Sequence, residues 1–389
     1  MIHYDRLINE RVQRVKPSGI RKFFDIAATM DDVLSLSIGE PDFITPWGVR
    51  EAGIDSLVKG HTYYTSNAGM LELRRGICEY YARNFNVHYP GEANALVTVG
   101  GSEAIDLCIR SLIGPDDEVI IPEPSFVCYA PLTEIVGGRP VGITTKAENE
   151  FRLTAEELRA AITPKTKLLI LPYPGNPTGA VMEREDLEAI AQVLRGTDIM
   201  VLSDELYAKL TYGGTHVSIA SLDGMQERTV VVNGFSKAFA MTGWRIGYAL
   251  GPEPIIKAMT KLHQFAIMCA PTMAQEAALQ ALSPETDAAV EEMVEEYDAR
   301  RKMLLARFKK MGLPCFEPKG AFYIFPCIKK FGMTSEEFCE KFLYEEHVAV
   351  VPGSAFGQSG EGFVRISYAK SMADLNKAMD RLERFLSKL

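Results

Sequence analysis

A lysine and an arginine stand eight positions apart in the stretch Asn233-Gly234-Phe235-Ser236-Lys237-Ala238-Phe239-Ala240-Met241-Thr242-Gly243-Trp244-Arg245-Ile246-Gly247-Tyr248. The run Thr229-Val230-Val231-Val232 before them is continuously apolar and β-branched, as in a strand covered on both faces. Lys237 therefore falls just past a strand's carboxyl end, the edge where ligands of open α/β sheets collect. A lysine or arginine taken singly is usually solvated. Here the residues between the two cations are Ala, Phe, Ala, Met, Thr, Gly and Trp, too apolar for a solvated loop. An amine among such groups has its pKa lowered toward the range of a nucleophile or base. Amine and guanidinium together suit a small molecule that carries an aldehyde and a phosphate.

Further residues repeat the pattern. Gly100-Gly101-Ser102-Glu103-Ala104 follows an apolar run at 96–99 and opens a helix, whose amides and positive dipole end favour an anion. Alone it is an ordinary tight turn, without a full G-x-G-x-x-G or a Walker lysine. Asn176-Pro177-Thr178-Gly179 is by itself a turn signature. Asp204 comes straight after the apolar run 199–202, with Tyr207 three residues on, and a carboxylate at a buried strand end needs a partner. Arg365 sits inside the apolar strand Phe363-Val364-Arg365-Ile366-Ser367-Tyr368. It is a buried ion-pair partner, an edge-strand cation or a ligand group. Ser102, Phe126, Asn176, Asp204, Lys237 and Arg245 each fall at or just after the carboxyl end of a different predicted strand, which independent accidents would not produce.

As a set, these motifs resemble class I/II aminotransferases of fold type I, which use pyridoxal 5'-phosphate (PLP), over residues 35–368. The resemblance implies that Lys237 bonds to the cofactor aldehyde and later moves a proton between the substrate α-carbon and the cofactor. It implies that Ser102, Glu103, Ala104, Ser236 and Arg245 hold the phosphate and that Phe126 stacks on the ring. It further implies that Asp204 pairs with the pyridine nitrogen, and that Asn176 and Tyr207 bond the phenolic oxygen. Tyr64, in His61-Thr62-Tyr63-Tyr64-Thr65-Ser66-Asn67-Ala68-Gly69, would reach the phosphate of a neighbouring subunit, which makes a homodimer with shared sites. Arg365 would grip the substrate α-carboxylate in a fork that lysine cannot reproduce, with Asn176 touching the same group. In the loop Ser37-Ile38-Gly39-Glu40-Pro41-Asp42-Phe43, Gly39 would let backbone approach that carboxylate and Ile38 would form an apolar wall. One departure is visible: many relatives carry a hydroxyl three positions before the lysine, whereas this chain has Gly234 there and keeps Ser236.

The implied activity is ping-pong transfer of an amino group between an L-amino acid and a 2-oxo acid, with 2-oxoglutarate the expected acceptor. The donor would be of the aspartate, aromatic or N-acetyl-diaminopimelate type. A PLP-dependent C–S lyase of the cystathionine β-lyase kind would share every cofactor residue named, and a non-catalytic PLP sensor would need an added DNA-binding domain. No arginine in residues 263–269 marks itself for a second carboxylate, and Phe126, Tyr129 and Phe265 could receive an aromatic side chain.

The elements that must position these residues are legible as alternation. Strand-like runs at 96–99, 118–121, 140–143, 168–171, 199–202, 229–232 and 246–250 alternate with amphipathic stretches such as 103–112 and 183–194. That predicts an α/β fold with a mostly parallel sheet flanked by helices. From a cap-like Ser283 and Pro284 a long charged helix runs to about Met311, followed by strand candidates at 321–325, 348–351 and 363–368 and a last helix over 372–388. The expected division is a large PLP-binding domain at 46–284 and a small α+β domain of 1–45 and 285–389 that closes over the site.

Composition agrees with a soluble globular chain: of 389 residues, 47% are hydrophobic and 24% charged. A net charge of −9 without a basic cluster argues against nucleic-acid binding. No run approaches the roughly 18 apolar residues that span a bilayer, and the start lacks a signal-peptide pattern, so a cytoplasmic location without membrane attachment is expected. Seven scattered cysteines without a C-x-x-C read as reduced core residues, neither disulfides nor metal ligands.

Overall fold

A computed structural model describes residues 2–17, 19, 26 and 30–389. Its strands are β1 (Leu34–Ser35), β2 (Ala95–Thr98), β3 (Glu118–Glu123), β4 (Arg139–Thr144), β5 (Thr166–Leu171) and β6 (Met200–Asp204). They continue with β7 (Thr229–Gly234), β8 (Gly247–Leu250), β9 (Tyr323–Ile324), β10 (Val348–Ala349), β11 (Val351–Pro352) and β12 (Val364–Ser367).

The predicted alternation builds one seven-stranded sheet in the order β2-β8-β7-β6-β5-β3-β4. Its inner strands β5, β6 and β7 read as near-continuous apolar runs because both faces are covered, whereas the edge strand β4 is largely open to solvent. Leu168, Ile170, Leu202, Val230 and Val232 pack with Ala104, Ile105 and Leu107 of the helix Gly101–Leu112. Their neighbours Leu169, Leu171, Val201 and Val231 enter the cores on the opposite face. Pairing is parallel from β4 through β7, while β8 runs antiparallel to both β7 and β2.

That reversal corrects one expectation. Arg245 does not follow the carboxyl end of its own strand; it precedes β8. Because β8 runs the other way, its start lies at the same sheet edge as the ends of β2, β3, β5, β6 and β7. Lys237 and Arg245 thus border one loop that leaves β7 and re-enters the sheet as β8.

The C-terminal part forms a three-stranded antiparallel sheet, β11-β12-β9, beside a two-stranded parallel pair, β1-β10. The run expected as one strand at 348–351 splits, since Val348–Ala349 pairs with Leu34–Ser35 and Val351–Pro352 with β12. The predicted long helix spans Pro284–Lys310, but the Ser283 side chain does not cap it and instead accepts from Gln280 Nε2 at 3.0 Å. The last helix, Met372–Leu386, is capped by Ser371, which accepts from Asp374 N at 3.1 Å. Phe322, Tyr323, Phe338, Phe342 and Phe385 form this region's core, and Tyr207, Leu210 and Tyr212 from beyond β6 join it. No helix among the described residues is long and apolar enough to cross a membrane.

Backbone approaches backbone where β8 begins. A Cβ on Gly247 would stand 2.6 Å from Gly100 C and Gly101 N, and neither neighbour is a side chain that can rotate away. Gly247→Ala is expected to lower stability by about 1–3 kcal/mol, measured by urea denaturation; an unchanged midpoint would refute the close approach.

Candidate active site

The sheet edge and the C-terminal region enclose a cavity of about 690 Å³. Gly39, Ser102, Phe126, Asn176, Asp204 and Tyr207 reach its wall, as do Ser236, Lys237, Arg245 and Arg365. Glu103, Ala104, Ile38 and Tyr64 do not.

At one end the helix Gly101–Leu112 presents its first turn, where unpaired amides attract anions. Gly100 has φ +81°, and a Cβ there would lie 2.6 Å from Arg245 Nη2, so the guanidinium rests directly on the turn. Arg245 Nη1 donates to Thr242 O at 2.9 Å, and among the described residues no carboxylate pairs with it. Ser102 adds a hydroxyl, while Ala104 is wholly buried and Glu103 turns its side chain inward. The Glu103 carboxylate accepts from Val99 N at 2.5 Å and from His263 Nδ1 at 2.7 Å, which leaves only backbone for an anion. Gly234 lies against backbone, since a Cβ would meet Gly247 Cα and Ile246 O at 3.2 Å. A side chain at that position would be tightly placed, and Ser236 is the nearby hydroxyl residue that lines the cavity.

Asp204 ends β6 and is buried. Its Oδ2 accepts from Tyr129 OH at 2.6 Å and its Oδ1 from Leu206 N at 3.2 Å. Burial pushes the carboxyl above its usual range, against the pull of those two donors. Among the described residues no cation pairs with it. A cationic ring nitrogen would supply the missing partner. Tyr129, expected only as a wall for an aromatic side chain, therefore serves Asp204, and it also holds Phe126 edge-to-face at 6.0 Å. Phe265, the other expected wall, is 84% exposed and stands outside the cavity.

Tyr207 lines the cavity with Asp204 without bonding to it; its hydroxyl meets Tyr323 OH at 2.8 Å. Tyr323, unnoticed in the sequence inside an apolar strand candidate, is the third tyrosine on the cavity wall, after Tyr129 and Tyr207. A Cβ on Gly39 would come within 2.2 Å of its hydroxyl, so only glycine fits there. Ser37 and Gly39 turn their carbonyls inward, to Arg365 Nη2 and to Lys237 Nζ, both at 2.5 Å. Ile38 between them is 39% exposed and does not line the cavity.

Arg365 stands in the central strand β12, fully enclosed between the rings of Tyr323 at 4.6 Å and Phe356 at 4.8 Å. Nη1 donates to Asn176 Oδ1 at 2.8 Å, and buried Nε has no partner. Neither plain structural reading holds: the strand is not an edge, and no carboxylate pairs with the guanidinium among the described residues. A buried arginine held by neutral acceptors is chemically suited to an anion.

Burial pulls the Lys237 amine down to about 8, helped by Arg365 and Arg245 and opposed by Glu40. The site thus joins a desolvated amine, an unpaired buried carboxylate and two cations without acidic partners. It fits PLP: an amine for the aldehyde, a turn and arginine for the phosphate, and an acid for the ring nitrogen.

Fold and site together define a PLP-dependent enzyme of fold type I. The sequence profile of aminotransferase class I and II matches residues 31–382, and the chain belongs to that family. It is 51% identical to the putative aminotransferase YugH of Bacillus subtilis, over 98% of each chain. It is 50% identical to an aspartate aminotransferase of Pyrococcus abyssi, over 97% of this chain and 98% of that one. The crystal structure of an aromatic aminotransferase from Pyrococcus horikoshii superposes with a TM-score of 0.90 at 46% identity, covering 95% of this chain and 99% of that one. The chain is a transaminase whose cofactor is PLP.

Lys237 binds fewer protons folded than unfolded between pH 8 and 10.5. Stability of the cofactor-free protein therefore rises with pH across that window, because below it the fold buries an ammonium. Lys237→Met should exceed the wild type in stability by up to about 3 kcal/mol below pH 8. That advantage should shrink toward pH 10.5. Urea melts at pH 7 and pH 10 test this, and an equal difference at both refutes it.

Proposed function

We propose that this protein moves an amino group between an L-amino acid and a 2-oxo acid, by a ping-pong route with 2-oxoglutarate as acceptor. The amino donor is of the aspartate, aromatic or N-acetyl-diaminopimelate type, as the names of relatives suggest. The observation that carries this reading is that Lys237, with its lowered pKa, shares one cavity with Arg365, a buried cation that lacks an acid.

In this reading Arg245, Ser102, Ser236 and the amides of Glu103 and Ala104 hold the cofactor phosphate. Phe126 lies on the ring, Asp204 faces its nitrogen, and Asn176 and Tyr207 bond its phenolic oxygen. When bound, PLP supplies an electron sink that lets a proton leave the donor's α-carbon. Lys237 Nζ takes that proton and returns it on the cofactor side, a task suited to an amine that titrates near neutral pH. Arg365 and Asn176 fix the α-carboxylate, with Gly39 leaving room for it. The loop 37–43 excludes water from the reacting carbon. Residues 46–284 act as the cofactor domain, and 1–45 with 285–389 as the part that closes.

We also propose a homodimer in which Tyr64 reaches the partner's phosphate site. In the single chain Tyr64 is 78% exposed, beside exposed Tyr63, Phe265 and Met268. Asn67 and Thr272 tie this region together through bonds to Met268 O and Tyr63 O. The helix Trp47–Val58, which exposes Trp47, Ile54, Leu57 and Val58, packs on the same helix Thr272–Ala281 and extends the patch. So apolar a surface calls for a second copy. A cytoplasmic location accords with the free cysteines.

A panel of amino donors against 2-oxoglutarate tests the activity. Turnover should need both substrates and vanish in Lys237→Ala, whereas ammonia from one substrate alone would mark the lyase instead. Arg365→Lys should raise KM for every donor by about a hundredfold; an unchanged KM removes Arg365 from the carboxylate. Light scattering should give a dimer, and Tyr64→Phe should weaken PLP binding about tenfold; a monomer that binds PLP fully overturns the shared site.

A further inference from the structure

Glu205 is wholly buried, yet it takes no part in the chemistry above. It follows Asp204 directly, and its amide still donates to Val232 O at 2.8 Å. Successive side chains leave an extended chain on opposite faces, so Asp204 lines the cavity and Glu205 points away from it. Its carboxylate enters a polar pocket beside the core that contains Tyr81, Ala208 and Ala220. Oε1 accepts from Ser203 Oγ at 3.0 Å and Ser218 Oγ at 2.6 Å, and Oε2 accepts from Tyr81 OH at 3.2 Å. His216 Nε2 lies 3.2 Å from Oε2, close enough for an ion pair but without hydrogen-bond alignment. A carboxylate withdrawn from water on this scale persists only where its partners are arranged in advance.

One of those partners reaches the lysine strand. The Tyr81 hydroxyl also accepts from Asn233 Nδ2 at 2.7 Å, and Asn233 Oδ1 accepts from Gly234 N at 2.7 Å. On the back of the sheet, a single phenol from the helix Leu71–Phe85 thus joins the residue after Asp204 to the end of β7, from which Lys237 departs. We infer that Glu205 and Tyr81 are positioning residues. The chain Asn233–Tyr81–Glu205 sets the reach between Lys237 and Asp204, so that a ring attached at one meets the carboxylate of the other. The inference rests on the reading of Asp204 as the partner of the ring nitrogen.

Tyr81→Phe removes one oxygen and keeps the ring packed against Phe85 at 4.9 Å and Tyr248 at 6.0 Å. Glu205→Gln removes the charge. Tyr89→Phe is the control, since its hydroxyl bonds Thr229 O at the far end of β7. For each variant the readouts are the apoprotein melting temperature, the PLP dissociation constant and the induced circular dichroism per bound PLP, which reports ring orientation. Tyr81→Phe is expected to fold, to bind PLP about tenfold more weakly and to show a reduced signal at saturation, with Tyr89→Phe like the wild type. The loss in the double variant Tyr81→Phe/Glu205→Gln should be smaller than the sum of the single losses. If Glu205→Gln does not fold, Tyr81→Phe decides alone. A folded Tyr81→Phe with wild-type affinity and signal overturns the inference, as do equal losses in Tyr89→Phe. Asp204→Asn separates the two readings: an unchanged signal there means that the role of Asp204 itself has failed.

Discussion

Three cations, Lys237, Arg245 and Arg365, face one cavity that among the described residues holds two carboxylates, Glu40 and Asp204. One of those carboxyls is itself pushed toward neutrality by burial. Like charges in a partly desolvated space repel more strongly than in water, and the lowered pKa of Lys237 records its burial first and that repulsion only second, with Glu40 opposing both. The arrangement is unfavourable for a folded chain on its own and favourable for one that binds an anion at each end. In the proposed function a phosphate and a carboxylate would relieve the two arginines, while an aldehyde would take the amine. Sites that break local rules of stability in this way are held by structure elsewhere.

The holding is distributed over the whole fold. Five strand ends and the start of an antiparallel strand bring the large-sheet groups to one edge. Arg365 comes from another sheet altogether, clamped between Tyr323 and Phe356. The loop 37–43 connects the two. Asp42 bonds Arg300 of the helix Pro284–Lys310 at 2.8 and 2.9 Å, and Phe43 packs edge-to-face on Tyr297 at 5.3 Å. On the other side Thr242 donates to Glu40, and Thr45 Oγ1 donates to Ala240 O at 2.7 Å. A displacement of the C-terminal region would therefore be felt by the loop whose carbonyls meet Lys237 and Arg365.

Legibility followed side-chain type. Strand-like runs located every strand of the large sheet, most clearly at β7, where burial on both faces leaves no alternation to misread. Lys237, Asp204 and Arg365 announced themselves as charged residues where burial is costly. Tyr129 and Tyr323 did not, since a tyrosine in an apolar stretch looks like core until the atom its hydroxyl meets is known. Glu205 was passed over for a related reason: next to Asp204 it reads as one more acid, and its complete burial depends on Tyr81, Ser218 and His216, far away in the chain. That Ile38 stands off the cavity lining was not legible either, because exposure, unlike apolarity, is a property of neighbours.

What the order of residues determined by itself was local: where strands begin and end, which loops follow them, and which groups in those loops carry charge or a nucleophile. Those are consequences of backbone sterics and of the cost of burying apolar and charged groups, and they act over a few residues. Tertiary structure alone decided that β8 runs backward, so that Arg245 shares an edge with Lys237, and that Arg365 meets no carboxylate among the described residues. It also decided that a tyrosine from a distant helix ties the acid's strand to the lysine's. Each of these depends on which segments meet in space, and contact at long separation is set by the packing of the whole chain.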